Sequence, residues 1–285
     1  MALRVFAHFP PWEWPDDAGL HIQSALTDSS APEDDRLLAA ELAGEFVVTS
    51  DEMTASLLII VNNPDEGEAL RSAAVIALGT GLEYADMMGF EDPQDIVISE
   101  EVFQRVQAIL KDLYDDTDLP EGFRRRVLET SARAPQEWHI DAVREAYNCG
   151  DSDWRLSAVF SMRFVCGFES QIIEALETAE DPDIFYEALC AAGLWGLDAA
   201  WHHVYPLAVS EETEKALRIA AIYSMAAIRP KEAVGLLGTM TAHEDEDIAD
   251  AAYEALIETG EFLESEEFDP DEEDEDSDDE DDLLH

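Results

Sequence analysis

The sequence is short of several things, and each shortage excludes something. It has only three lysines against 13 arginines, 16 basic groups in all, beside 67 acidic ones, for a net charge of −51 over 285 residues. Such a field repels phosphate backbones and anionic bilayers, so direct nucleic-acid and membrane binding are not expected. Protein partners are expected, with basic ones favoured by charge. Solubility or adaptation to high salt would give the same acidity. There are three cysteines, Cys149, Cys166 and Cys190, an odd number with no CxxC pair. That suits a reducing compartment, with each thiol a small core residue. Apolar runs such as residues 57–61 are too short to span a bilayer, and the first residues lack the apolar stretch of a signal peptide. A cytoplasmic protein is the expectation. No nucleophile elbow is present, and Gly79-Thr-Gly81 lacks the lysine and the preceding strand of a phosphate loop. No catalytic residue, metal ligand set or cofactor is therefore expected.

What is present is a repeat. Seven segments place apolar and small residues at helical spacing, often after an arginine. They begin at Arg36, Arg71, Arg125, Arg155, Tyr186, Arg218 and Ala249. One column runs through them as Ala40, Ala74, Leu128, Ala158, Ala188, Ala221 and Ala252, at spacings of 34, 54, 30, 30, 33 and 31. Three residues on, the position is always small: Ala43, Ala77, Ser131, Ser161, Ala191, Ser224 and Ala255. Positions i and i+3 share a helix face, so this seam lets a neighbouring helix approach closely. A second apolar helix precedes each segment, near residues 18–26, 52–61, 100–113, 139–147, 170–176, 199–208 and 231–240. Acidic turns such as Gly150-Asp-Ser-Asp153 and Glu180-Asp-Pro-Asp183 separate the units, and they read as helix caps.

The pattern predicts an all-α, right-handed α-solenoid of about seven helical hairpins over residues 17–260. Residues 1–16 are expected to cap the first hairpin, because Phe9-Pro-Pro-Trp-Glu-Trp-Pro15 is too rich in proline for a helix. The spacing of 54 implies an insertion near 81–98, read as a rim loop. Residues 261–285 carry 16 acidic groups and no basic one, so a disordered acidic tail is expected.

The unit resembles a HEAT repeat, and its shorter bacterial form, the phycobilisome-lyase HEAT-like repeat. Pro135-Gln-Glu-Trp-His139, the stretch from Gly150 to Phe160, and Ala226-Ala-Ile-Arg-Pro230 are similar to a group of uncharacterised bacterial HEAT-repeat proteins. The resemblance implies an armadillo-like helical solenoid and no particular reaction. Deoxyhypusine hydroxylases share the fold, but this chain has one His-Glu pair, His243-Glu244, too few for a di-iron centre. Neighbouring His202 and His203 should point about 100° apart on their helix. A non-enzymatic scaffold or adaptor is the favoured reading. The alternative is a lyase- or cofactor-associated protein of the bilin-lyase type. The candidate partner-binding residues are the basic run Arg124, Arg125 and Arg126, with Arg155 and Arg163, and the aromatics Trp12, Trp14, Trp154 and Trp195. The competing role for the arginines is a ladder of ion pairs between repeats. For the tryptophans it is core packing.

Overall fold

The computed structural model describes residues 3–267, and the side chains of 3–260. Among the described residues there is no strand. The fold is an all-α series of helical hairpins, divided into two compact units after Phe168.

The first unit holds four hairpins. They are α1 (Ala18–Thr27) with α2 (Glu33–Leu42), α3 (Asp51–Val61) with α4 (Glu68–Met88), α5 (Glu100–Asp115) with α6 (Glu121–Ser131), and α7 (Glu137–Asn148) with α8 (Ser152–Ser161). Its second helices pack in succession, α2 on α4, α4 on α6 and α6 on α8. The second unit holds three: α9 (Glu169–Thr178) with α10 (Pro182–Leu194), α11 (Trp201–Val209) with α12 (Lys215–Ile228), and α13 (Pro230–Met240) with α14 (Glu246–Glu267). There α10 packs on α12 and α12 on α14.

Local chemistry explains the helix starts. The carboxylate of Asp151 accepts from the backbone N–H groups of Asp153 and Trp154, and Asp181 accepts from Asp183. Ser50 and Ser99 do the same for α3 and α5. These groups satisfy N–H donors that the first helical turn leaves without partners. The acidic turns are thus caps, as their composition implies.

Every residue of both predicted small columns is buried, from Ala40 and Ala43 to Ala252 and Ala255. Close approach follows. A methyl on Gly193 of α10 would lie 2.5–2.8 Å from Oγ, Cα and Cβ of Ser224 on α12. Only glycine permits that crossing without displacing backbone.

A recurring arginine bond sets the repeat register more sharply than the pattern does. At the fourth residue of a second helix, Arg36, Arg71, Arg124 and Arg218 each donate Nε–H to the carbonyl ten residues earlier. The acceptors are Leu26, Val61, Tyr114 and Ala208, at 3.2, 3.0, 2.9 and 3.1 Å. Each acceptor is among the last carbonyls of the first helix, which have no partner within that helix, and positive charge suits that end. In the first and third hairpins the register therefore shifts by one: Ala39 and Val127, not Ala40 and Leu128, correspond to Ala74, and Arg124 rather than Arg125 corresponds to Arg71. The residues three further on become Leu42 and Thr130, so the seam is Ala or Ser in five hairpins, Thr130 in the third and Leu42 in the first.

Three further expectations change. The insertion near 81–98 is helical at its start, because α4 continues to Met88 and ends at Gly89, whose φ of +68° suits a helix-terminating glycine. Gly81 is buried inside α4, against Thr49 and Ile98. The loop is shorter, and it is anchored where Ser99 N–H donates to Asp51 at 2.7 Å. The cysteines are not core residues: Cys149 and Cys166 are exposed and Cys190 is half-buried. They stand at a helix end, in a turn and on an outward helix position. His202 and His203 do not diverge, since their ring centroids lie 4.0 Å apart. The predicted tail, 261–285, lies at the edge of the described residues, with backbone described to Glu267 and 268–285 outside.

The N-terminal segment forms two 3₁₀ turns, Leu3–His8 and Pro11–Glu13. Leu3 and Phe6 are buried, and the first turn packs on α1 and α2.

Candidate functional site

The candidate arginines are held by internal partners. Arg124, besides its bond to Tyr114, places its guanidinium 5.3 Å from the Tyr114 ring and 5.6 Å from the Trp154 ring. Arg125 pairs with Asp153 at 3.0 Å, linking α6 to the start of α8. Arg126 pairs with Glu129 at 2.5 Å on its own helix. Arg155 donates to the Tyr147 hydroxyl at 3.1 Å and lies over that ring. Arg163 lies over Phe160 and Phe164, and Arg133, which the sequence reading passed over, lies over the same two rings and pairs with Glu83. The structure thus gathers these groups as cation–π stacks and ion pairs. Residues 105–163 hold nine of the 16 basic groups and 11 acidic ones. This block is nearly neutral in a very acidic chain.

Inter-repeat pairs do occur. Arg36 holds Glu66 of the next hairpin through two bonds of 2.7 Å. Hydrogen bonding to Arg36 keeps the Glu66 carboxyl below its ordinary range, and the same bond raises Arg36. The bond that recurs, however, is the arginine–carbonyl bond inside four of the hairpins.

The aromatics divide. Trp14 donates its indole N–H to the carbonyls of Phe6 and Phe9, both at 3.1 Å, and rests on the Phe6 ring. Trp154 meets Tyr114 edge-on. Trp195 ends α10 and is 38% exposed. Trp12 is 80% exposed.

His139 was not singled out by sequence, yet it is wholly buried. Its Nδ1 accepts from Gln136 N–H at 2.9 Å, its Nε2 lies 3.0 Å from Ser131 Oγ, and Trp138 stacks on it at 3.7 Å. Burial lowers its pKa to about 4, so the ring is neutral at ordinary pH. Its role is to lock α7 onto α6.

An outward stripe in the first unit runs along the second helices and just past the ends of α2, α6 and α8. It reads Glu41 and Glu45, then Ile76 and Thr80, then Glu129 and Arg133, then Phe160 and Phe164. Glu41, Glu45 and Ile76 on it are exposed and the others half-buried. Between the first two pairs lies a groove of about 410 Å³. Ala40, Gly44, Ala73 and Ala77 line it, with Arg133 also in the lining. Ile76 stands 51% exposed above it. The Thr80 hydroxyl donates to the Gly44 carbonyl at 2.7 Å, tying the two helices together beneath it. Neither Glu41 nor Glu45 is in an ion pair, and both are exposed. The groove can therefore accept an apolar side chain on its floor and a cation at its rim. Periodicity alone marks this stripe, because it is the complement of the buried columns. Among the described residues, no group of three His, Cys, Asp or Glu side chains could hold a metal ion, and no helix is long and apolar enough to cross a membrane.

No protein-family model matches the chain, and no curated protein matches it. Two solved structures are similar to it in part. One is an engineered protein, with a TM-score of 0.40 and 15% identity over 90% of this chain and 77% of that one. The other is a designed armadillo repeat protein in complex with the peptide (KR)4, with a TM-score of 0.39 and 12% identity over 83% of this chain and 98% of that one. Both scores are low, and the assignment of the fold rests on the helix order and the repeated arginine bond.

Proposed function

We propose that this chain is a non-enzymatic scaffold that binds a basic segment of a partner protein along the second-helix face of its first unit. The observation that carries this reading is the groove between α2 and α4: a lining of small residues, an exposed Ile76, and two exposed carboxylates, Glu41 near the end of α2 and Glu45 just past it. Repeat folds use such extended faces for binding. A net charge of −51 supports basic partners and fast encounter with them. We further propose that the repeat is of the phycobilisome-lyase HEAT-like type. The residues that support this reading are those of the repeat unit, such as the stretch from Gly150 to Phe160, and among the described residues none recommends bilin chemistry over binding.

The test is a random dodecapeptide library displayed on phage and selected on the full chain. Enriched peptides should carry Lys or Arg near an aliphatic residue, and should weaken as salt rises. Their binding should fall at least about tenfold in Ala73→Arg, which fills the groove with a like charge, and less in the Glu41→Gln, Glu45→Gln double variant. A selection in which no enriched peptide loses binding in Ala73→Arg would overturn the reading.

A further inference from the structure

A second surface carries an independent proposal. Near the start of the first unit lies a pocket of about 620 Å³, formed by the proline-rich turn, the first helix and the connection before α3. It shares no lining residue with the groove. Its walls include Trp12, Leu20 and Val47, which are 80, 70 and 51% exposed. Three large apolar side chains so exposed and so close are costly to leave in water, and such clusters mark interaction sites. Trp14, by contrast, is fixed by its two indole hydrogen bonds, so the turn carrying Trp12 is braced from behind. Pro10, Pro11 and Pro15 restrict the same turn. Trp12 is thus presented in a set direction and loses little freedom on contact.

The charge around the pocket selects its occupant. Its lining holds two carboxylates, Asp16 and Glu52, and no basic group. Both are exposed. The indole face of Trp12 attracts a cation, and the carboxylates add to that field. Leu20 and Val47 offer an aliphatic contact beside it. A second copy of this chain fits poorly, because each copy carries −51 and like charges oppose association.

We propose that this pocket is a docking site for a partner protein that presents a lysine or arginine beside an aliphatic residue, the cation resting on Trp12 and the aliphatic group on Leu20 and Val47. It is a separate site from the groove, and it stands whether or not the groove binds.

The experiment uses the full chain carrying Ala73→Arg, so that groove binders are removed, and the same random dodecapeptide phage library as probe. Enriched peptides should pair Lys or Arg with Leu, Ile or Val. Their affinity should fall at least about tenfold in Trp12→Ala and in Leu20→Ser, as for an anchor residue. Both positions are on the surface, and unchanged thermal unfolding confirms folding. Sedimentation velocity is run alongside. Enrichment of acidic or uncharged peptides, binding indifferent to Trp12, no enrichment at all, or Trp12-dependent self-association would each overturn the proposal. Failure here with groove-dependent binding intact leaves the scaffold reading standing, and the converse result removes the groove alone.

Discussion

His139 gives the sharpest quantitative test of the packing. Its ring is buried and accepts a backbone N–H on Nδ1, and burial holds its pKa at about 4 against an ordinary 6.5. The unfolded chain takes up this proton near pH 6.5, whereas the folded chain refuses it until about pH 4. The sign follows: the folded pKa is depressed, so the stabilisation is complete above pH 6.5 and is lost as pH falls toward 4. Between pH 7.5 and pH 5 the unfolded state gains about 1.5 pH units of protonation free energy and the folded state almost none. At about 1.4 kcal/mol per unit this removes roughly 2 kcal/mol. Over this range most carboxylates stay ionised, so acid unfolding through them is small. The assay is urea unfolding of wild type and His139→Gln at both pH values, with the imidazole titration followed by NMR. Glutamine loses packing and hydrogen bonds at a cost that does not depend on pH. The difference between the two proteins should therefore narrow by about 2 kcal/mol at pH 5. A pH-independent difference, or an imidazole titrating near 6.5 in the folded protein, would refute the argument.

Two further predictions concern the framework. Gly193→Ala should destabilise the second unit by about 1–3 kcal/mol, since the added methyl meets the Ser224 backbone and overpacking outweighs the gain in helix propensity. Chemical denaturation measures it, Ser224→Gly should recover part of the loss, and a stabilised Gly193→Ala would show that the crossing is looser than described. Arg71→Lys keeps the charge but removes the Nε donor to Val61 and the guanidinium 4.4 Å from the Phe123 ring. Unfolding free energy should drop by about 1–3 kcal/mol, and the Val61–Arg71 turn should exchange its amide hydrogens faster.

Much of this fold is written in the sequence at short range. All seven hairpins, with both helices of each, follow from apolar spacing, and the caps of α3, α5, α8 and α10 follow from the Ser or Asp before the run. The register does not. Ala39 and Ala40, like Val127 and Leu128, are adjacent and all buried, because the buried face of these helices is wide enough to include both. Only a bond to another helix distinguishes them. The end of α4 at Gly89 lies eight residues beyond Gly81, where the repeat spacing starts the insertion. Gly79 and Gly81 sit within the helix, where an added methyl would meet Arg133 and Thr49. Of the candidate residues, the arginine run drew attention through its charge, and neighbours that the one-dimensional pattern cannot place absorb that charge. Trp12 and Trp14 stand two residues apart in the same motif, yet one is tied down by two carbonyls and the other is left in solvent. That distinction depends on the path of the chain around Phe6.

The arginine–carbonyl bond also bears on how such a chain can be lengthened or shortened. Each of the four bonds begins and ends within one hairpin, spanning ten residues across its internal turn. Removing or duplicating a whole hairpin would leave every remaining clasp closed, with only side contacts such as Arg36–Glu66 to be re-formed. A cut placed between the two helices of one hairpin would open a clasp and strip two elements of their partner at once. The tolerated joints of this protein therefore fall between hairpins, and the connection inside a hairpin is the wrong place to divide it.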